Sequence, residues 1–131
     1  MKEGLVMHKY AEFNEHIERL KKDEKYIQYF RSFAVENMNS NHKYVKEVFE
    51  YILDLAKVWK YKSTEHWCLN YIGWCENFAN DFLKASTTHL IANEFFEKEQ
   101  DVNGIIATCN ALLLDYLNLG ELELAIRNGM K

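Results

Sequence analysis

The stretch Leu69–Ala85, LNYIGWCENFANDFLKA, returns in altered form forty residues later as Cys109–Ala125, CNALLLDYLNLGELELA. The forty-residue shift superimposes two turn sequences and two alanines: Asn80-Asp81-Phe82 on Gly120-Glu121-Leu122, and Ala85 on Ala125. A small residue lets two helices approach closely. Asn or Gly readily adopts the left-handed conformation that ends a helix. An acidic residue directly after it favours the N-terminus of the next helix. The repeat therefore predicts helical hairpins, each turning at the matched position.

Helical periodicity extends outward from this repeat over almost the whole chain. The apolar residues Val45, Val48, Phe49, Ile52 and Ala56 follow the spacing of a single helical stripe. The chain has no proline and five glycines, which favours long helices with short polar connections. Seven helices are predicted, at about 4–21, 23–38, 42–60, 64–79, 81–99, 102–118 and 121–131. Short connections force neighbouring helices to run antiparallel.

The matched positions resemble the tetratricopeptide repeat, whose pattern joins a bulky residue, Leu-Gly, an aromatic residue, a Gly-Asp-aromatic turn and two small residues. The first copy supplies Leu69, Ile72-Gly73, Asn80-Asp81-Phe82, Ala85 and Ala92; the second supplies Cys109, Leu112-Leu113, Tyr116, Gly120-Glu121-Leu122 and Ala125. Glu76 replaces the expected aromatic residue, Leu113 replaces the glycine, and the period is about 40 residues instead of 34. The resemblance implies an all-α domain of antiparallel hairpins stacked as a right-handed superhelix, similar to extended repeats in bacterial cytoplasmic regulators.

One helical-repeat domain is expected to occupy residues 1–131. Within it, residues 1–22 form a capping helix, 23–62 a degenerate repeat, 63–101 a repeat, and 102–131 a repeat cut short. Because the last helix is short and follows the apolar Leu112–Leu114 run, we expect the chain to be part of a longer protein.

Charge and cysteine content limit the classes of partner. The net charge is −4, and residues 61–131 carry five Lys/Arg against ten Asp/Glu, so nucleic acid is an unfavourable partner. No signal-peptide or membrane-spanning pattern is visible, which favours a cytoplasmic protein. Cys68, Cys75 and Cys109 are expected to be reduced core thiols, without a metal, since no zinc-ligand spacing occurs.

Catalytic motifs are missing from the sequence. The five histidines have no carboxylate or nucleophile at a recognisable spacing, and they are expected to be surface or half-buried structural residues. No phosphate-binding loop, nucleophile elbow or metalloprotease motif occurs. We therefore expect a protein that is not an enzyme and needs no cofactor.

The resemblance places the first helix of each hairpin on a concave inner surface. The positions that match this surface are Trp67, Asn70, Trp74, Asn77 and Phe78 in the first copy, and Ala107, Asn110, Leu114, Leu117 and Asn118 in the second. Aromatic residues at helical spacing are typical of partner surfaces, and an amide side chain can both donate to and accept from a peptide backbone. The alternative is that Trp67, Trp74 and Phe78 are core residues packed against the N-terminal helices.

Three functions remain open at this point. The first is a sensory or interaction module that binds a protein or peptide, as the N-terminal part of a bacterial cytoplasmic regulator. The second is a structural segment with a self-filled groove that forms a homodimer through residues 105–131. The third is a small helical-bundle enzyme or ligand carrier. The basic residues by which some family members clamp a C-terminal carboxylate are missing from the inner positions of the two copies.

Overall fold

The computed structural model describes residues 10–127, with side chains through Glu123, and every regular element in that range is helical. Five α-helices follow one another: α1 (Asn14–Lys22), α2 (Phe30–Trp59), α3 (Lys62–Phe78), α4 (Phe82–Lys98) and α5 (Val102–Arg127). Short 3-10 helices at Ala11–Phe13 and Glu24–Tyr29 flank α1. For these residues the all-α prediction is confirmed.

Helices α2, α3 and α4 end in the same way. Lys60, Asn80 and Gln100 adopt left-handed φ values of 61°, 66° and 56°. In each case the next backbone N–H donates to the carbonyl five residues earlier, at 2.9 Å. These bonds satisfy carbonyls that the helix end leaves unpaired. The three ends are twenty residues apart, which is half of the forty-residue period in the sequence.

At two of these three ends an aspartate caps the next helix, so α4 and α5 begin at once. Asp81 accepts a hydrogen bond from the backbone N–H of Lys84 at 3.4 Å, and Asp101 accepts one from Gly104 at 3.1 Å. Successive helices therefore run antiparallel: along α3 and α4, Glu76 meets Thr88 while Trp67 meets Phe96.

The helix count differs from the prediction at both ends. The break predicted at residues 39–41 is a kink inside α2, at Asn41 (φ −155°, ψ 59°). The break predicted at 119–120 is wrong, because α5 continues through Gly120 to Arg127. The predicted helix 23–38 starts as the 3-10 helix Glu24–Tyr29. Of the predicted helix 4–21, the first residues lie outside the described part of the chain.

Two kinds of packing hold the helices together. Large apolar side chains of α1, α2 and α3 form the core, with Leu20, Phe30 and Phe49 fully buried. Between α3, α4 and α5 the contacts are closer and involve small residues. Ala85 is fully buried, as the repeat predicts. The side chain of Ala125 lies outside the described residues.

Helix α5 is the most apolar helix by composition. Over Val102–Glu123 it is long and apolar enough to cross a membrane, with a mean hydropathy of 1.2. One of its faces nevertheless packs on α4, where Thr108, Ala111 and Asp115 are fully buried. Length and composition alone are weak evidence for a membrane span, and a helix that packs in a protein core passes the same test.

Candidate functional site

A half-open groove of about 670 Å³ lies between the first half of α2, α3 and the first half of α5. Its lining residues come from the preceding 3-10 helix and these three helices: Gln28, Arg31, Ala34, Val35, Met38, Trp67, Asn70, Tyr71, Trp74, Phe78, Asn103, Ile106, Ala107 and Asn110. Ligand pockets in proteins commonly measure roughly 300–1,000 Å³. The groove is therefore large enough to take several side chains of a partner.

The predicted aromatic residues lie along one wall of the groove with different degrees of burial. Trp67 is 8% exposed and packs on Phe96, with ring centroids 5.0 Å apart, so it is mainly a core residue. Trp74 is half-buried, and Phe78 is 41% exposed. The core interpretation thus fits Trp67, whereas Trp74 and Phe78 offer apolar surface to a partner.

Amide side chains line the same groove as these aromatic residues. Asn70 lies on α3, Asn103 and Asn110 on α5, and Gln28 precedes α2. Asn110 is exposed, whereas Asn70 is 3% exposed and its Oδ1 is buried without a hydrogen-bond partner among the described residues. An unpaired buried carbonyl is costly, roughly 1–3 kcal/mol. This oxygen can therefore gain from a donor that enters the groove.

One end of the groove is cationic. Arg31 is the one charged residue among those that line it, and no ion pair or hydrogen bond engages its guanidinium within the described residues. The positive charge of Arg31 acts on the phenol of Tyr71. Burial raises the pKa of Tyr71 to about 12, and the positive charge of Arg31 opposes that rise.

Four of the predicted inner-surface residues lie outside the groove: Asn77, Leu114, Leu117 and Asn118. Asn77 is 7% exposed and turns toward α5, where it takes part in the polar cluster described below. Leu114 and Leu117 are exposed, at 38% and 54%. By helical spacing they share a face of α5 with Asn110, so they continue that wall beyond the groove.

Behind the groove, a cluster of polar residues is buried between α3, α4 and α5. The Nδ1 of His89 lies 2.5 Å from Oδ2 of Asp115, and its Nε2 lies 2.9 Å from the backbone carbonyl oxygen of Asn70. Both side chains are fully buried. Asn77 donates to the other carboxylate oxygen of Asp115 at 2.7 Å, and Asn118 donates to Asn77 at 3.2 Å. Each of the three helices thus contributes a polar group to one connected network.

This network is coupled to the groove wall. The two nitrogens of His89 contact the carboxylate of Asp115 and the backbone carbonyl of Asn70, so the ring is held at both ends. The ring of His89 also packs edge-on against Trp74, with centroids 5.8 Å apart. Because His89 holds the Asn70 carbonyl and supports Trp74, it fixes the position of the wall that a partner would contact.

Glu76, which departs from the repeat pattern, occupies a second polar site. Its carboxylate is 4% exposed and accepts a hydrogen bond from Thr88 at 2.6 Å. Lys46 from α2 and Lys84 from α4 each lie 3.8 Å from the other carboxylate oxygen. The acid therefore replaces an aromatic contact by linking α3 to both neighbouring helices.

The sequence reasoning missed both polar sites. His89 was expected at the surface or half-buried, and that expectation is wrong, since the ring is fully buried. The sequence does contain a pattern that indicates the polar cluster. A single helical stripe contains Gly104, Thr108, Ala111 and Asp115, so a carboxylate lies on a face of small residues. A charge on such a face needs a buried partner.

The cysteines also differ from one another. Cys68 and Cys75 are buried free thiols, as predicted, but Cys109 is exposed, so the prediction of three core thiols is wrong for that residue. Burial raises the pKa of Cys75 to about 12, and it raises the pKa of Cys68 well above its usual range.

Comparison of the chain with protein-family models, with curated proteins and with solved structures found no match.

Proposed function

We propose that this chain is a helical-repeat module of the tetratricopeptide type that binds an extended segment of a protein or peptide in the groove between α2, α3 and α5. The observation that carries the proposal is the composition of that groove. Half-buried and exposed aromatic surface at Trp74 and Phe78 lies beside the amides of Asn70, Asn103 and Asn110. Under the same proposal, the chain is a non-catalytic, cytoplasmic part of a bacterial regulator.

An extended segment suits the groove better than a helix does. A helix satisfies its backbone hydrogen bonds internally, whereas an extended peptide presents free N–H and C=O groups. Asparagine side chains can pair with both of these groups. The unpaired Oδ1 of Asn70 accepts only, so it suits a backbone N–H of the partner.

The experiment is a selection of peptides from a random library, followed by affinity measurement on synthetic peptides. Trp74→Ala should weaken binding by roughly 2 kcal/mol or more, as expected for an aromatic anchor. The matched control is Tyr116→Ala, because Tyr116 is 49% exposed on α5 and does not line the groove. If both variants bind selected peptides like the parent, the groove is not the binding site.

Binding should also depend only weakly on salt. The described residues that line the groove are mainly apolar or amide residues, with one cation, Arg31, among them. A nucleic-acid complex would instead lose affinity steeply as salt rises, since each neutralised phosphate releases counterions. A steep decline of affinity between low and moderate salt would argue against a peptide groove.

A second candidate function, homodimerisation through residues 105–131, is favoured by the other flank of α5. Leu113 is 61% exposed and Tyr116 49% exposed on that flank, and exposed apolar surface favours association. Sedimentation equilibrium over a wide concentration range tests this candidate. Tyr116→Ala should weaken a dimer, whereas Trp74→Ala should leave it unchanged.

A further inference from the structure

We infer that the groove selects a peptide carrying an acidic side chain within an apolar sequence, and that Arg31 pairs with this carboxylate. The inference rests on the proposed function and names the chemistry of its ligand. Among the described residues that line the groove, Arg31 is the one that carries a charge, and it lies with apolar and amide groups.

Arg31 is available for a ligand. Its side chain is exposed, and among the described residues no carboxylate forms an ion pair with it. By contrast, Arg19 pairs with Glu15 at 3.1 Å, and Lys46 and Lys84 each lie 3.8 Å from the carboxylate of Glu76. A guanidinium beside an apolar wall, with no acid opposite it, complements a carboxylate that a ligand brings.

Two polar groups that line the groove with Arg31 also have no hydrogen-bond partner among the described residues. Tyr71 is 6% exposed, and no hydrogen bond engages its hydroxyl within the described residues, although the ring stacks on Phe49 at 4.6 Å. Asn70, next to it, keeps its Oδ1 unpaired. Arg31 and Tyr71 supply donors for a carboxylate, and Asn70 supplies an acceptor for the peptide backbone N–H. Because all three residues line the groove, they offer hydrogen-bonding groups to both the side chain and the backbone of an acidic residue.

A side-chain carboxylate is distinguished from a terminal one by the form of the library. Random ten-residue peptides are displayed with both ends fused to the carrier, so that no free C-terminus is present. Selection is carried out on the whole chain and on Arg31→Gln, Arg31→Lys and Arg31→Glu. Arg19→Gln serves as the control, because Arg19 lies on α1 outside the groove. Thermal unfolding of each variant checks that the fold is unchanged.

We expect the parent and the Arg19→Gln variant to enrich peptides with aromatic or aliphatic residues and one Asp or Glu. Arg31→Gln should weaken the selected peptides by roughly 10-fold to 100-fold, the range for a charge-assisted hydrogen bond. Arg31→Lys should recover part of this loss, since lysine keeps the charge but not the planar fork. Arg31→Glu should shift the enriched charge from acidic to basic.

The failures of the inference and of the proposed function are distinguishable. Enrichment of apolar peptides that lack an acid, with affinities unchanged in Arg31→Gln, overturns the role of Arg31 and leaves the peptide groove standing. Binding that appears only in synthetic peptides with a free C-terminus, and vanishes on amidation, overturns the side-chain assignment. If no peptide is enriched, or if the enriched peptides bind Trp74→Ala as they bind the parent, both proposals fall.

Discussion

Replacement of Gly73 by alanine adds one methyl group where α3 packs against the His89 ring of α4. A Cβ at this position would lie 2.4 Å from Nε2 of His89 and 2.7 Å from two carbons of the same ring. These distances are far below van der Waals contact, so the ring has to move. His89 is fully buried and held at both nitrogens, by Asp115 and by the Asn70 carbonyl, so any movement lengthens a hydrogen bond.

The expected size of the effect follows from three opposing terms. Alanine in a helix interior is favoured over glycine by roughly 0.5–1 kcal/mol. Overpacking a tight contact costs roughly 1–3 kcal/mol. Weakening a hydrogen bond to a charged group costs roughly 1.5–3 kcal/mol. The penalties exceed the gain, and we expect Gly73→Ala to reduce the free energy of unfolding by about 2–4 kcal/mol.

Urea unfolding followed by circular dichroism measures this change by linear extrapolation. Gly120→Ala is the matched control, since it makes the same chemical change in α5, where nothing lies within 4 Å of the added carbon. It should raise stability by roughly 0.5–1 kcal/mol. A Gly73→Ala variant as stable as the parent would refute the packing of His89 against α3. A destabilised Gly120→Ala would indicate the left-handed turn that the repeat predicts.

Three further predictions use the same assays. Trp67→Ala should lower the free energy of unfolding by roughly 3–5 kcal/mol, and Trp74→Ala should lower it by less because Trp74 is only half-buried. Equal losses of stability in the two variants would contradict this difference in burial. In the native protein at pH 8 a thiol reagent should label Cys109 rapidly, and Cys68 and Cys75 only after unfolding; fast labelling of all three would count against their burial. Because burial raises the pKa of Cys75 to about 12 from 9.0, its thiol deprotonates first in the unfolded chain. Stability should therefore decline as pH rises from about 9 toward 12, and Cys75→Ala should lessen that decline relative to the parent.

The helix ends could be predicted from the sequence because they depend on local chemistry. Asn80-Asp81 and Gln100-Asp101 combine a left-handed residue with an aspartate cap, and both turns form where the sequence places them. The kink at Asn41 was also predicted, as a break. The 3-10 helix Glu24–Tyr29 was not, since its bonds to α3, such as Ser63 N–H to Glu24 at 3.1 Å, involve residues far apart in sequence.

The groove could be predicted in part, and the polar cluster could not. The spacing of Trp67, Asn70, Trp74 and Phe78 places them on one face of α3, and all four line the groove. Asn77 satisfies the same spacing, yet it turns toward Asp115. Periodicity predicts which face of a helix a residue lies on. Whether that residue lines a groove or contacts a buried partner depends on the neighbouring helix, which the periodicity of one helix does not describe.

The continuation of α5 through Gly120 shows what ends a helix in this fold. Left-handed residues occur at Lys60, Asn80 and Gln100, so a twenty-residue spacing places the next one at Gly120. At the first three positions the following helix buries a face against the preceding one, and that packing offsets the unfavourable left-handed conformation of a non-glycine residue. At Gly120 nothing lies within 4 Å of an added Cβ, and Leu122 is 43% exposed. Turn chemistry permits a hairpin there, but without buried contacts the helical hydrogen bonds are the better alternative. Gly120→Ala should therefore stabilise the chain, and a loss of stability would contradict the helical continuation.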